Sequence, residues 1–272
     1  MRDHYQVLMG VFVKDLKILL NYKLNLLMML FSIALYSIVI FLFSESFSFS
    51  RVGDSSYTDD LFIYFLTGII LVDVTITCSS TLPLTVSFYQ TSGIMEELIS
   101  DTKKFLIIII GSTTLPLIIS IFKMFIYFIA AFILKSGNFS LGLEILIIVP
   151  YIIIYLLFII GVGLLASSLT IIFKRGNPII QINNIVTATI TGAFLPISQF
   201  GELINALNSF LPAKLFLDVI REVVIEGTTS YEILYSTTLQ LIFNSLLFVI
   251  VGIMVFKRSV DYAKLKNNIS NY

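Results

Sequence analysis

The 272 residues are 57% hydrophobic and 12% charged, with a mean hydropathy of +0.98, against about 25% charge in soluble domains. A water-soluble fold of this length has no means of hiding so much apolar surface, so the solvent is a bilayer. The formal net charge is zero, which removes any global attraction to nucleic acid, and the lone cysteine, Cys78, excludes an intrachain disulfide and multi-cysteine zinc sites.

Residues 1–23 predict a cytoplasmic amphipathic helix. Met9, Phe12, Val13, Leu16, Leu19 and Leu20 fall at helical spacing on one face, with Gln6, Gly10, Lys14, Lys17 and Asn21 opposite. Such a helix lies on a membrane surface with its basic side wet. It serves either as a plain anchor or as a platform for a cytoplasmic partner. The one histidine, His4, reads as a solvated terminal residue.

A crossing helix needs about 20 apolar residues. Six runs within 24–256 qualify: 24–43, 61–82, 106–134, 145–173, 179–197 and 235–256. The first has no small-residue cleavage site after it, so it reads as a retained span and not a signal peptide. The fifth is the most polar and ends at a proline. Between the fifth and sixth, 198–234 is of mixed polarity and predicts short helices that dip back into the membrane from outside. Residues 257–272 form a cytoplasmic tail. No internal repeat is evident. The expected fold is therefore an all-α integral membrane protein of one domain, with six transmembrane helices.

Lysine and arginine set the orientation. Twelve of them fall in the N-terminal segment, the second-to-third and fourth-to-fifth connections and the C-terminal tail; four (Arg51, Lys135, Lys214 and Arg221) fall in the other set of loops, and Lys123 sits inside a run. Both termini are thus expected on the cytoplasmic side, in a cell membrane, and so is the polar stretch 90–101, QTSGIMEELISD. There Thr91 or Ser92 is placed to cap a short helix, and Glu96 and Glu97 suit its first turns. Ile94, Leu98 and Ile99 make a small apolar face, and Lys103 and Lys104 follow the far end. A rigid charged helix tied to two spans would move them if something outside pulled on it; the plainer reading is an interfacial loop.

This stretch resembles the coupling helix of ABC type-2 transporter permeases, which show Gly-Thr-Leu-Glu followed by apolar residues. Gly93 and Glu96 match, while Ile94-Met95 replace Thr-Leu. FKRGNP at 173–178 is similar to a basic turn in one branch of that family. Gly192, Phe194, Pro196, Leu211, Pro212, Leu217 and Arg221 match its Gly-x-Phe-x-Pro, Leu-Pro and Leu-x-x-x-Arg patterns, in order. The resemblance implies an exporter permease with broken outer helices after the fifth span. It implies a dimer with a second permease copy or close paralogue, and two separate ABC ATPase subunits contacting Gly93, Glu96, Glu97, Leu98, Lys14 and Lys17. The chain holds no Gly-x-x-x-x-Gly-Lys-Ser/Thr loop. ATP and Mg would therefore belong to the partner, with no cofactor, metal or catalytic residue in this chain.

Charges inside a bilayer are expensive and call for partners. Counting about 1.5 Å per residue, Asp73 and Lys123 lie at similar depths in consecutive antiparallel spans, so they are expected to pair. The pair is either a packing clamp, a polar spot on a substrate path, or a proton-coupling site; the last would make the chain an ion-coupled secondary transporter using Asp73. Polar stripes Asp73/Thr77/Thr81, Asn184/Thr187/Thr191 and Thr237/Gln240/Asn244 serve either as hydrogen-bonding glue between helices or as the lining of a path. An intramembrane enzyme is disfavoured, because no nucleophile–base pair occurs in the runs. Asn138-Phe139-Ser140 is a formal glycosylation sequon.

Overall fold

The computed structural model describes residues 2–46, 61–134, 145–173, 177–194, 208–226 and 231–266. The 47–60 part of the serine-rich loop, the 138–140 sequon, Lys174, Arg175, Pro196 and the 198–207 part of the expected re-entrant stretch lie outside them. The described residues are all-helical. In lipid each backbone polar group must be satisfied within the chain, which a helix does segment by segment. The helices are α1 (Arg2–Asn21), α2 (Lys23–Ser46), α3 (Leu61–Ser79), α4 (Thr81–Thr91), α5 (Met95–Ile99), α6 (Thr102–Gly111), α7 (Thr114–Leu134), α8 (Ile145–Phe173), α9 (Asn177–Thr189), α10 (Pro212–Arg221, continued by a π turn, Glu222–Glu226) and α11 (Tyr231–Lys266).

Five helical stretches are long and apolar enough to cross a membrane: α2, α3 with α4, α6 with α7, α8 and α11. The expected fifth run differs. Where 179–197 predicted a span, α9 has 13 residues, about 20 Å at ~1.5 Å per residue against the roughly 30 Å of a hydrocarbon core. It ends before Gly192, whose φ of +80° is left-handed and incompatible with continued helix. The last described helix, α11, runs on into the expected tail as far as Lys266. The runs at 61–82 and 106–134 extend to 61–91 and 102–134, each interrupted once, at Ser80 and at Ser112–Thr113.

α3 and α7, the legs of a hairpin joined through α4–α6, are antiparallel, since Asp73 faces Lys123 and Cys78 faces Ser120. By contrast α8 and α11 run parallel. Tyr151 bonds Thr238 (2.9 Å), Phe158 meets Phe248 edge-on (4.9 Å), and Gly161 abuts Gly252. A Cβ on Gly252 would stand 2.7 Å from the Gly161 carbonyl oxygen. The two backbones touch there because both residues lack side chains, as small residues allow in membrane helices.

The apolar interior falls into two clusters stacked along the bundle. One joins α2, α3, α7, α8 and α10, with Tyr155 stacked on Phe216 at 4.6 Å. The other joins α4, α5, α6 and the C-terminal parts of α8 and α11.

Candidate coupling surface and intramembrane polar sites

The stretch 90–101 folds differently from its expected capping pattern. Thr91 and Ser92 turn their hydroxyls back, donating to the Ser87, Phe88 and Tyr89 carbonyls, and so close α4. Gly93 then takes φ +73° and Ile94 leads into α5 without a side-chain cap. Lys103 and Lys104 open α6 instead of closing α5: Asp101 accepts from both of their backbone N–H groups, at 3.0 and 3.1 Å. The apolar face is also shifted. Met95 and Ile99, one turn apart, are buried; Leu98 is half-buried and Ile94 exposed.

A five-residue helix has no stability of its own. Burying Met95 and Ile99 contributes about 1.5–3 kcal/mol each; it seats α5 between α4 and α6 and makes it part of the cluster that includes Leu82, Phe105, Leu164 and Phe256. Glu96 and Glu97 point outward and are exposed. Lys264 of α11 reaches across to donate to Thr102 Oγ1 at 2.7 Å, tying the last helix to the corner after α5.

Helix α1 lies beside this assembly. Val11 is buried, Leu8 meets Gly111 of α6, and Lys14 sits 5.9 Å above the Tyr89 ring with Asp15 at 3.2 Å. Burial alone would lower the Lys14 pKa, but Tyr89 and Asp15 outweigh it, so its pKa is raised above its ordinary 10.5 and the side chain stays cationic. Of the expected apolar face, Phe12, Leu16 and Leu19 are half-buried, whereas Met9, Val13 and Leu20 are exposed beside Tyr5 and Ile18. Lys17 is exposed, as its face predicts.

Asp73 and Lys123 do meet. The Lys123 ammonium donates to both carboxylate oxygens at 3.1 Å and to Thr77 Oγ1 at 3.4 Å. One turn along, Cys78 and Ser120 are 3.2 Å apart. Thr75 pairs with Tyr155 at 2.6 Å, so successive α3 positions are tied to α7 and α8.

The third site gathers the matched motif residues near the start of α3. Arg221 is buried, with its guanidinium donating to the carbonyls of Tyr64, Gly192 and Ala193 at 3.0–3.3 Å and lying 3.7 Å from the Tyr64 ring. Tyr64 donates its hydroxyl to the Gly192 carbonyl at 2.8 Å. Phe194 packs on the first cluster, and Pro212, at the first turn of α10, is buried. Gln240 and Asn244, one turn apart on α11, donate to the Ser209 and Phe210 carbonyls at 2.8 Å each, which makes this stripe glue for the turn before α10. Thr187 is buried and accepts from the Thr191 hydroxyl. The Asn184 side-chain oxygen is buried without a hydrogen-bond partner among the described residues.

Several residues here carried no signal of their own in the sequence. Tyr64 and Gly68 read as ordinary span residues, although a Cβ on Gly68 would run into the Ala193 carbonyl oxygen. Met95 lay in the mismatched half of the Gly-Thr-Leu-Glu pattern. No family model matches this chain, and no curated protein or solved structure matches it either.

Proposed function

We propose that this chain is the membrane-spanning permease of an ATP-driven exporter. Two cytoplasmic ABC ATPase subunits bind ATP and Mg, and a second permease copy completes the path. The observation that carries this reading is the seat of α5. A helix too short to stand alone is held between α4 and α6, in an apolar cluster that α8 and α11 complete, while Glu96 and Glu97 face outward. Force applied to those carboxylates passes to several spans at once. Helix α1, resting on α6 and Tyr89, offers a second contact through Lys14 and Lys17. Nucleotide-driven closure of the partners would then favour one of two span arrangements, by binding one better than the other. The parallel run of α8 and α11 supports six passes with both termini cytoplasmic, because the chain must return between them; α9 makes much of that return as a short crossing. Residues 208–226 form the outer re-entrant part.

An ion-coupled role for Asp73 has less support, because both of its carboxylate oxygens are already engaged by the Lys123 ammonium. The deciding experiment is purification of the tagged chain from its own membrane in mild detergent. Bound ATPase activity is measured for the wild type and for Glu96→Arg/Glu97→Arg. Co-purifying ATPase that is lost or uncoupled in the variant supports the reading; no ATPase with either protein overturns it.

A further inference from the structure

The tetrapeptide Thr-Leu-Pro-Leu occurs twice, at 81–84 and 114–117, each time after a short hydroxyl-rich cluster inside a long apolar run. Both copies restart a helix. α3 stops at Ser79 and α4 begins at Thr81; α6 stops at Gly111 and α7 begins at Thr114. Pro83 and Pro116 lack the N–H that would bond the carbonyls of Ser79 and Ser112, and proline is the common cause of sharp kinks. Hydroxyls bond back onto the same turns: Ser80 to the Ile76 carbonyl, Ser112 to Ile109 and Thr113 to Ile110, an arrangement that bends helices. The two breaks stand side by side, with Thr85 Oγ1 donating to Ser112 Oγ at 3.2 Å.

The same level divides the apolar interior. Along α3 and α4 the buried residues of the first cluster end at Cys78 and those of the second begin at Leu82; along α8 they pass from Val162 to Leu164, with half-buried Ile160 also packing on the second. The helices α8 and α11 pass this waist unbroken, but with glycines. Leu82, from the first tetrapeptide, lies in the notch of Gly163, where a Cβ would stand 2.7 Å from its Cδ1. Beyond the waist the hairpin legs are fastened by Asp73–Lys123 and Cys78–Ser120.

From this we infer a two-point hinge: α4, α5 and α6 swing as one body about the paired Thr-Leu-Pro-Leu breaks, while α3 and α7 stay fastened by Asp73 and Lys123. The inference deepens the lever reading of α5, on which it rests for the driving force, by naming where the spans bend. With α4 at 11 residues, about 16 Å long, a change of roughly 20° in kink moves the α5 end by about 5 Å.

The test uses the full chain in lipid nanodiscs with Cys78→Ser, which replaces the thiol beside Ser120 with a hydroxyl that can still hydrogen-bond to it. Spin labels are placed at exposed positions. Ile94 with Ile133 spans the waist, Phe88 with Lys104 lies within the α4–α6 body, and Leu42 with Ile133 lies on the far side. The expected result is a distance distribution across the waist that is broad or split by about 5 Å, two narrow ones within each side, and narrowing of the first by Pro83→Ala/Pro116→Ala. A waist-spanning distribution as narrow as the other two overturns the hinge. Should the double variant not fold, the wild-type comparison decides alone. No ATPase is present in this experiment. A narrow result beside a positive co-purification would therefore reject the hinge and leave the exporter reading standing.

Discussion

The Lys123 ammonium lies 3.1 Å from each carboxylate oxygen of Asp73, and the lysine is the more buried partner, with 13% of its side chain exposed against 27%. Neither charge is tolerable alone at that depth. Removing one partner of a buried pair costs about 3–5 kcal/mol because the other is left uncompensated, whereas removing both is often nearly neutral. Asp73→Asn is therefore expected to lower the thermal midpoint in detergent strongly, and Asp73→Asn/Lys123→Met to recover most of that loss. Equal damage in single and double variants would mean that the pair does not clamp α3 to α7.

Arg221 holds three backbone carbonyls and the face of Tyr64 together. Lysine keeps the charge but lacks the planar fork that reaches several acceptors at once. Hydrogen bonds to charged groups are worth about 1.5–3 kcal/mol each, so Arg221→Lys should destabilise by at least about 2 kcal/mol, and Arg221→Met by more. Amide exchange at Gly192–Phe194 should rise with it. Exchange that stays at the wild-type level would show that the turn is held by Gly68 and Tyr64 without the guanidinium.

Asp101 caps α6 through the Lys103 and Lys104 N–H groups. Loss of an N-cap carboxylate costs about 1 kcal/mol, and here it also removes the negative charge that offsets two lysines at a helix start. Asp101→Ala should raise amide exchange at 102–105 while leaving α7 protected. Asp101→Asn, which retains an acceptor, should restore most of the protection.

Much of this was legible because membranes make some errors costly. Two opposite charges in adjacent apolar runs had to meet, and counting residues placed Asp73 and Lys123 at one depth. Acids at 96–97 and an apolar turn beside them marked a surface helix. What stayed hidden was set by backbone geometry. Nothing in TSGI distinguishes a forward cap from a backward one until Gly93 takes its left-handed turn. The apolar run at 179–197 reads as a span because Gly192 interrupts the backbone without interrupting the hydropathy. Ser80 and Ser112 sit in short hydroxyl-rich clusters, TCSST at 77–81 and STT at 112–114, but such residues serve equally well as glue between continuous helices, so polarity alone does not mark a break there. Gln240 and Asn244 were visible as a stripe, but their acceptors, the Ser209 and Phe210 carbonyls, are backbone groups that any sequence supplies.

The glycines give a contrast that separates two kinds of constraint. At Gly93 a Cβ would meet nothing within 4 Å, and the only obstacle is φ +73°. Gly93→Ala should cost about 1 kcal/mol, the left-handed penalty, and Gly93→Asn less, since asparagine tolerates that region. At Gly252 the backbone is ordinary helix, but a Cβ would stand 2.7 Å from the Gly161 oxygen, with Gly161's own notch filled by the Phe248–Val249 backbone. Relief there requires α8 and α11 to part, since neither neighbour is a flexible side-chain tip. Overpacking of this kind costs about 1–3 kcal/mol or more, so Gly252→Ala should lower the thermal midpoint further than Gly93→Ala despite suiting a helix better. If Gly252→Ala instead raises the midpoint, as alanine does in an unhindered helix, then α8 and α11 do not touch backbone to backbone, and the unbroken side of the waist loses its physical basis.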